Sequence, residues 1–506
     1  MSRSGWVLLL AALAGCAHQR PAPPTGIYFV MVDRFEDGDR SNDAEIDRAD
    51  PQAFHGGDLQ GVIERLDWVQ ALGFDTVWLS PIFKMRTEKW FGHGAFHGYW
   101  TWDLSALEPR FGDELLLARL RRELDRRGMK LVLDVVLNHV GPDAPLLTAH
   151  PDWFHRRGGV TDWNDREQLV MHDVHGLPDL ATEKPEVFAW LLASSKRWLE
   201  LARPDGFRLD AVKHLPIEFW ARFNGAFDGD FTRLGELLDG DPSTVARTWR
   251  EGRFTSMFDF PLAFAVADVF CRGESPAKLA AALTNDRRYP DPSKLVTLVD
   301  NHDLPRILSV CGGDVEKTKQ ALTFLFAMRG IPSLTWGTEV GLEGAKEPEN
   351  RPSMRFVEHP LREHVRAQMK QRLESPALRS GAAVPVEVTP ARVVIARIAD
   401  DGSTVHVVVE AGRVQVSTAR PAERWLVEQW RTGARTRAVT FRGKGSVVGS
   451  GPELGDWDQA KARPMPVTIE LPLNGAFELK RIVDGAWEDG PNRVLFVTEA
   501  TSTVDW

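Results

Sequence analysis

The chain has 506 residues, 43% hydrophobic and 26% charged, with a formal charge of −9. That length exceeds what one hydrophobic core supports, so two to four soluble domains are expected. The acidic balance, without clustered Lys and Arg, excludes a polyanion partner such as nucleic acid, while eighteen Trp against three Tyr provide rings suited to lie on sugars or to fill cores.

In chain order, Arg3 precedes an apolar run from Trp6 to Leu13, too short to span a bilayer and shaped like an export signal. It ends in Leu13-Ala14-Gly15-Cys16, which resembles a bacterial lipoprotein signal. Residues 1–15 are then cleaved, Cys16 carries lipid, and the Pro-rich stretch 16–25 is a tether to a membrane of the cell envelope, outer membrane or cell surface. Secretion without the lipid is the alternative. Export permits a bridge between Cys271 and Cys311, and spacing does not decide between a disulfide and two buried thiols.

From residue 26 to about 380, short Val/Leu/Ile runs alternate with longer amphipathic stretches. FDTVWLSPI, LLLARLRRELDRRG and MKLVLDVVL read as strand, helix and strand, and the pattern returns through SKRWLELARPDGFRLDAV and KTKQALTFLFAMRGIPSLTW. Repeated units over this length predict an α/β fold, a (β/α)8 TIM barrel. At about 140–181 the periodicity lapses into Gly-, Pro-, His- and Asp-rich sequence, expected as a small domain inserted after the third strand. After Gly381 the helical pattern stops. Runs such as ARVVIARI and TVHVVVEAG then predict two all-β domains, expected as β-sandwiches over 381–430 and 431–506.

In such barrels the chemistry sits at the C-terminal ends of the strands. Asp134, Asp210, Glu236 and Asp303 all end strand-like runs. Cleaving an acetal between sugars needs a neutral carboxyl to protonate the leaving oxygen and an ionised one to stabilise or attack the sugar carbon. Arg208 lies two residues before Asp210 on the same strand face and favours its charged form, so Asp210 is the expected nucleophile. Glu236, among like charges and partly desolvated, is the expected acid/base. The two are expected about 5 Å apart, on opposite sides of one linkage.

The stretches DVVLNHVG, GFRLDAVKH, GELLDG and LVDNHD, in that order, together with YFVMVDRFEDGD, FHGGDLQG, VWLSPIF, HGYWTWDL, GLPDLAT and RGIPSLTWGTE, resemble the α-amylase family, glycoside hydrolase family 13. The resemblance covers roughly residues 26–380 and implies hydrolysis of α-1,4 bonds in starch, maltodextrins and related α-glucans. It makes Asp303 the third carboxylate, lets His139 and His302 hydrogen-bond the same sugar, and has Asp134 brace Arg208. Tyr99 is then expected under the ring being cleaved, Lys213 and His214 on the leaving side, and Glu347 and Arg351 on the donor side. Glu347 stands where Asp is more usual, and SLTWGTE lacks the family's tyrosines.

The resemblance also implies Ca2+, with Asp37, Asp39, Asn42, Asp43, Gly56 and Asp58 around one ion. Asn138, Asp179 and a backbone oxygen of His214 are expected around a second. VGSGPELGDWD and FELKRIVDGAWEDGPNR resemble the starch-binding module of carbohydrate-binding module family 20, in which Trp457 and Trp487 form a stacking platform and Lys480, Glu488 and Asn492 hydrogen-bond at its edge. Such a module raises the local concentration of a polymeric substrate. Two other functions stay open: a cyclodextrin-forming or maltooligosaccharide transglycosylase, and a non-catalytic starch-capture lipoprotein. Leu238 and His175 stand where cyclising relatives carry aromatic residues, which favours hydrolysis, and the intact acids disfavour capture alone.

Overall fold

The computed structural model describes residues 24–422 and 424–506. The export signal, Cys16 and the tether as far as residue 23 lie outside the described residues. Eight strands run parallel: β1 (Ile27–Val30), β2 (Thr76–Leu79), β3 (Lys130–Val135), β4 (Gly206–Leu209), β5 (Thr232–Gly235), β6 (Ser256–Met257), β7 (Val296–Thr297) and β8 (Ile331–Thr335). Their order is β6-β5-β4-β3-β2-β1-β8-β7, and a parallel bridge between Phe258 and Val296 closes the ring. β1, β2 and β4 are buried at every position. A parallel sheet covered on both faces requires this, and it explains why these strands read as unbroken apolar runs.

Five barrel helices open on an aspartate whose carboxylate accepts a first-turn N–H. Asp58 caps α1 (Leu59–Ala71), Asp113 caps α2 (Glu114–Arg127), Asp241 caps α3 (Pro242–Glu251), Asp259 caps α4 (Phe260–Phe270) and Asp314 caps α5 (Val315–Ala327). Between β3 and the helix Pro185–Leu201 the chain forms short helical turns stitched by isolated bridges, among them His139–Asp179 and Phe154–Leu180. This is the irregular segment where the sequence loses periodicity.

Beyond the barrel, β9 (Ala382–Val388), β10 (Arg392–Ile398), β11 (Thr404–Glu410) and β12 (Arg413–Thr418) form an antiparallel meander. Val393, Ile395, Val407 and Val409 on one face join the barrel core. Val384, Ala396 and Ile398 on the other face pack under Trp430, Leu426 and Val427 of a helix, α6 (Arg424–Thr432). The expectation that helices stop after Gly381 is therefore corrected: a helix, not a second sheet, covers the outer face here. The last seventy residues do form a sandwich. β13 (Thr436–Arg442) faces β14 (Ser446–Gly449) and β15 (Ala476–Val483) across Val439, Phe441, Val447, Phe477 and Leu479.

Buried and partly buried arginines join the units. Arg397 donates to the carbonyls of Leu378 and Gly381 and touches that of Ala327. Arg287 pairs with Glu453 at 3.0 Å, Arg288 pairs with Asp456, and the Ala476 N–H donates to Thr284 Oγ1 at 2.9 Å. Among the described residues no helix is long and apolar enough to cross a membrane.

Candidate active site

Neighbouring parallel strands deliver the acids side by side. Asp134 in β3 stands in register with Arg208 in β4, Asp210 follows β4, and Glu236 follows β5. Arg208 Nη1 lies 2.9 Å from Asp134 Oδ1 and 2.6 Å from Asp210 Oδ1, and Nη2 lies 3.7 Å from Glu236 Oε2. One guanidinium therefore touches three carboxyl groups. The Trp78 indole and the Tyr99 hydroxyl donate to Asp134 Oδ2 at 3.2 and 2.9 Å. Ala211, directly after Asp210, takes φ 51° and ψ 40°, a conformation that costs a residue with a Cβ roughly 1–2 kcal/mol. That turn aims its N–H at Glu236 Oε2, 3.1 Å away.

Asp303 follows β7 in a side-chain-closed turn, with Asn301 Oδ1 accepting the N–H of both Asp303 and Leu304 at 2.9 Å. Arg351 Nη2 is 3.1 Å from Asp303 and Nη1 is 2.6 Å from Glu347, so the expected donor-side pair reaches the third acid. Tyr99 stacks parallel to His302 at 5.1 Å and 3°. Its approach depends on Gly98, at φ 93°, where an added Cβ would meet the Pro81 carbonyl at 2.4 Å. His139 Nε2 contacts the Tyr99 carbonyl at 3.1 Å, and His302 Nε2 lies 3.1 Å from Asp303. The second nitrogen of each ring, Nδ1, is buried without a partner. A buried polar atom without a partner carries a free-energy cost.

Burial raises the Glu236 carboxyl to about 8, with Asp210 and Asp303 adding repulsion against the opposing pull of Arg208. Burial also pushes Asp134 up, opposed by Arg208. At Asp303 burial is outweighed by His302, Arg351 and Arg208, which hold the carboxyl below its ordinary range. His302 is lowered to about 3, first by burial and then by the nearby arginines, and is neutral. The centre thus contains one carboxyl that keeps its proton near neutrality beside one that does not.

On the leaving side Lys213 Nζ lies 3.3 Å from Asp239, and His214 Nδ1 hydrogen-bonds the Leu169 carbonyl at 2.9 Å. Trp163 of the insert, 48% exposed, lies 5.2 Å from the His175 ring and 6.3 Å from that of His214. Sequence reading passed over Trp163 because no motif contains it. Trp78 stood inside the quoted stretch VWLSPIF, and the indole contact with Asp134 is what reveals its role.

In the first loop Asp37 Oδ1, Asn42 Oδ1 and Asp43 Oδ1 are buried without hydrogen-bond partners. Gly56, at φ 90°, packs so closely that an added Cβ would meet Asp43 Oδ1 at 2.5 Å. Orphaned hard oxygens in one loop fit a calcium ion. Asp39 and Asp58, expected in the same set, accept hydrogen bonds within the loop. Asp39 accepts from Ser41, and Asp58 accepts from Gly38, Asp39, Asn42 and Gly61. At the second expected site the carboxylate meets side chains of the insert. Asp179 Oδ2 is occupied by His155 Nδ1 at 2.5 Å, and His155 Nε2 meets Glu183 at 3.0 Å. The Asn138 side-chain amide there is buried, with its Nδ2 unpartnered. Among the described residues no group of three or more His, Cys, Asp or Glu is placed to hold a metal.

In the terminal sandwich the Trp457 and Trp487 rings lie 6.3 Å apart, and Trp487 is 40% exposed. Lys480 Nζ donates to the Gly490 carbonyl at 2.9 Å. Asn492 hydrogen-bonds Glu478. Glu488 is committed within the module, accepting from Trp506 and the Arg481 N–H and pairing with the Arg481 side chain.

Comparison with known proteins places the chain among amylase-type sequences and folds. The chain is 34% identical to a beta/alpha-amylase of Paenibacillus polymyxa over 379 residues, covering 70% of this chain and 31% of that protein. It is 30% identical to a cyclomaltodextrinase of Geobacillus thermopakistaniensis over 430 residues, covering 79% of this chain and 71% of that one. The chain therefore spans less than a third of the first relative and most of the second. A crystal structure of an Anoxybacillus alpha-amylase superposes with a TM-score of 0.72 at 31% identity, covering 93% of this chain and 95% of that one. The model of the alpha-amylase catalytic domain matches residues 29–155 and 145–375, the whole region that carries the acids, and the chain belongs to the alpha-amylase family.

Proposed function

We propose that this chain hydrolyses internal α-1,4-glucosidic bonds of starch and maltodextrins with retention of configuration. The observation that carries this reading is Arg208 touching both Asp210 and Glu236, which keeps the carboxyls close, as double displacement requires. Glu236 donates its proton to the glycosidic oxygen as the bond to C1 breaks, and the free oxygen of Asp210 bonds C1. Water, deprotonated by Glu236, then attacks C1 and releases Asp210. Asp303, His139 and His302 grip ring hydroxyls, and Tyr99 lies against the ring as it flattens.

Glu236→Gln should lower turnover on soluble starch by a factor of at least about 10² to 10⁴, read as reducing ends released. Undiminished turnover would defeat the assignment. Action on cyclic glucans or transfer to another sugar is a second reading, supported by the cyclomaltodextrinase covering more of its own length than the first relative does. Product analysis on β-cyclodextrin against amylose separates the two.

A calcium ion held by Asp37, Asn42 and Asp43 belongs to the same proposal, as do starch binding by the Trp457–Trp487 platform and an exported, lipid-anchored location. A bond between Cys271 and Cys311 supports export, because disulfides persist in oxidising compartments. The ion's contribution is structural: it would neutralise the loop's carboxylates and take no part in bond cleavage.

A further inference from the structure

A cleft of about 380 Å³ lies between the barrel and the terminal sandwich, within the size range of ligand sites. Its barrel wall includes Gly240, from the loop after β5, and Phe264 on α4; its module wall includes Trp457. Asp268, Lys278 and Glu478 add polar groups, with Lys278 Nζ 2.5 Å from Asp268. The walls are fixed relative to each other by the Arg287–Glu453 and Arg288–Asp456 pairs.

Of three exposed apolar side chains, Phe264 lines this cleft, Leu238 lies two positions before its Gly240 edge in the sequence, and Trp487 touches Trp457 of its module wall. Leu238, two residues after the acid/base, is 40% exposed, Phe264 is 37% exposed, and Trp487, in ring contact with Trp457, is 40% exposed. Gly240 is four residues from Glu236, so the edge of the cleft starts within about 14 Å of the acid/base. Aromatic faces beside carboxylates and an ammonium suit a neutral polyol with an apolar face, and the acidic excess rejects anions.

We propose that this cleft is a second α-glucan-binding site, built jointly by barrel and module, that receives the leaving-side chain of a long substrate running from Glu236 past Leu238 and Phe264 to Trp457 and Trp487. The site rests on the reading of the chain as an α-glucan hydrolase. It differs from a platform confined to the module because most of its lining belongs to the barrel.

The test uses the full chain carrying Glu236→Gln, with binding of maltoheptaose and maltotriose followed calorimetrically. Phe264→Ala should weaken maltoheptaose at least fivefold and maltotriose less than twofold. Gly240→Gln should do the same by filling the cleft. Gly240 lies outside the left-handed region, and an added Cβ there meets only the Phe264 ring, at 3.5 Å, so the new side chain enters without backbone strain. Parent affinity for maltoheptaose in both variants would overturn the site. Equal weakening of both sugars would also overturn it, because it would place the effect in the catalytic cleft. If the unaltered enzyme releases no reducing ends from soluble starch, the functional reading fails instead, independently of either variant.

Discussion

Arg208 is the residue on which the two steps of the proposed reaction meet, because one guanidinium contacts the nucleophile and the acid/base together. Part of the elevation of Glu236 comes from the charge of Asp210. That charge disappears when Asp210 becomes a glycosyl ester, so Glu236 acidifies when its role changes from acid to base. Two measurements follow. The kcat/KM for maltooligosaccharides should fall as pH rises through about 8, since Glu236 must be protonated. Asp303 should not contribute to the acid limb until the pH falls below the ordinary carboxyl range. The sign for stability runs the same way: a carboxyl raised in the folded state contributes stability below its unfolded value, lost as pH rises through about 8. Glu236→Gln should therefore lose less Tm between pH 5 and 9 than the parent; an equal loss would assign the shift to another group. Asp210, Glu236 and Asp303 were legible as acids at strand ends. The open Nδ1 atoms of His139 and His302 were not, since an unpartnered atom is a property of the packed neighbourhood.

Elements differ in how much of them a sequence displays. The barrel strands were readable because burial on both faces demands continuous apolar runs. α6 was not, because Leu426, Val427 and Trp430 occupy one face for only about two turns, too few to stand out from strand-like sequence. Pairing of Cys271 with Cys311 was equally hidden, since it depends on α4 and the segment after Asp303 ending side by side. That bridge closes a loop of 40 residues and should contribute about 4 kcal/mol through the unfolded chain's lost entropy. Cys271→Ser with Cys311→Ser should lower Tm by several degrees, and a reductant should reproduce the drop in the parent only. No difference between parent and variant would show that the loop is already ordered without it. The loop holding Asp37, Asn42 and Asp43 makes a separate demand. Chelation should lower Tm and added calcium restore it, because an ion bound only by the folded state stabilises it. Asn42→Ala should weaken that response, and an unchanged response would remove the ion from this loop.

At the scale of the molecule, two surfaces that handle glucan chains are proposed on one chain. In that proposal the barrel cuts at Glu236, while the module presents Trp457 and Trp487 at a joint held by Arg287, Arg288 and the Thr284–Ala476 hydrogen bond. The proposed platform rests on two tryptophans visible in the sequence, whose rings lie 6.3 Å apart. The module's orientation toward the barrel was not readable, because the arginines that fix it lie 166 and 168 positions from their partners in sequence. A tethered platform acts by effective concentration: it holds an insoluble polymer near the cleft and leaves the chemistry of a short soluble substrate nearly unchanged. Trp487 lies at the platform's exposed rim, so its removal disturbs little packing, and one lost sugar-stacking ring corresponds to roughly 0.5–1.5 kcal/mol of binding beyond buried area. Trp487→Ala should therefore cut adsorption to starch granules about threefold to tenfold in a sedimentation assay, while kcat/KM on maltotetraose stays within a factor of two. Equal loss on granules and on the tetrasaccharide would place Trp487 in the catalytic path, and full adsorption would assign granule binding to another surface.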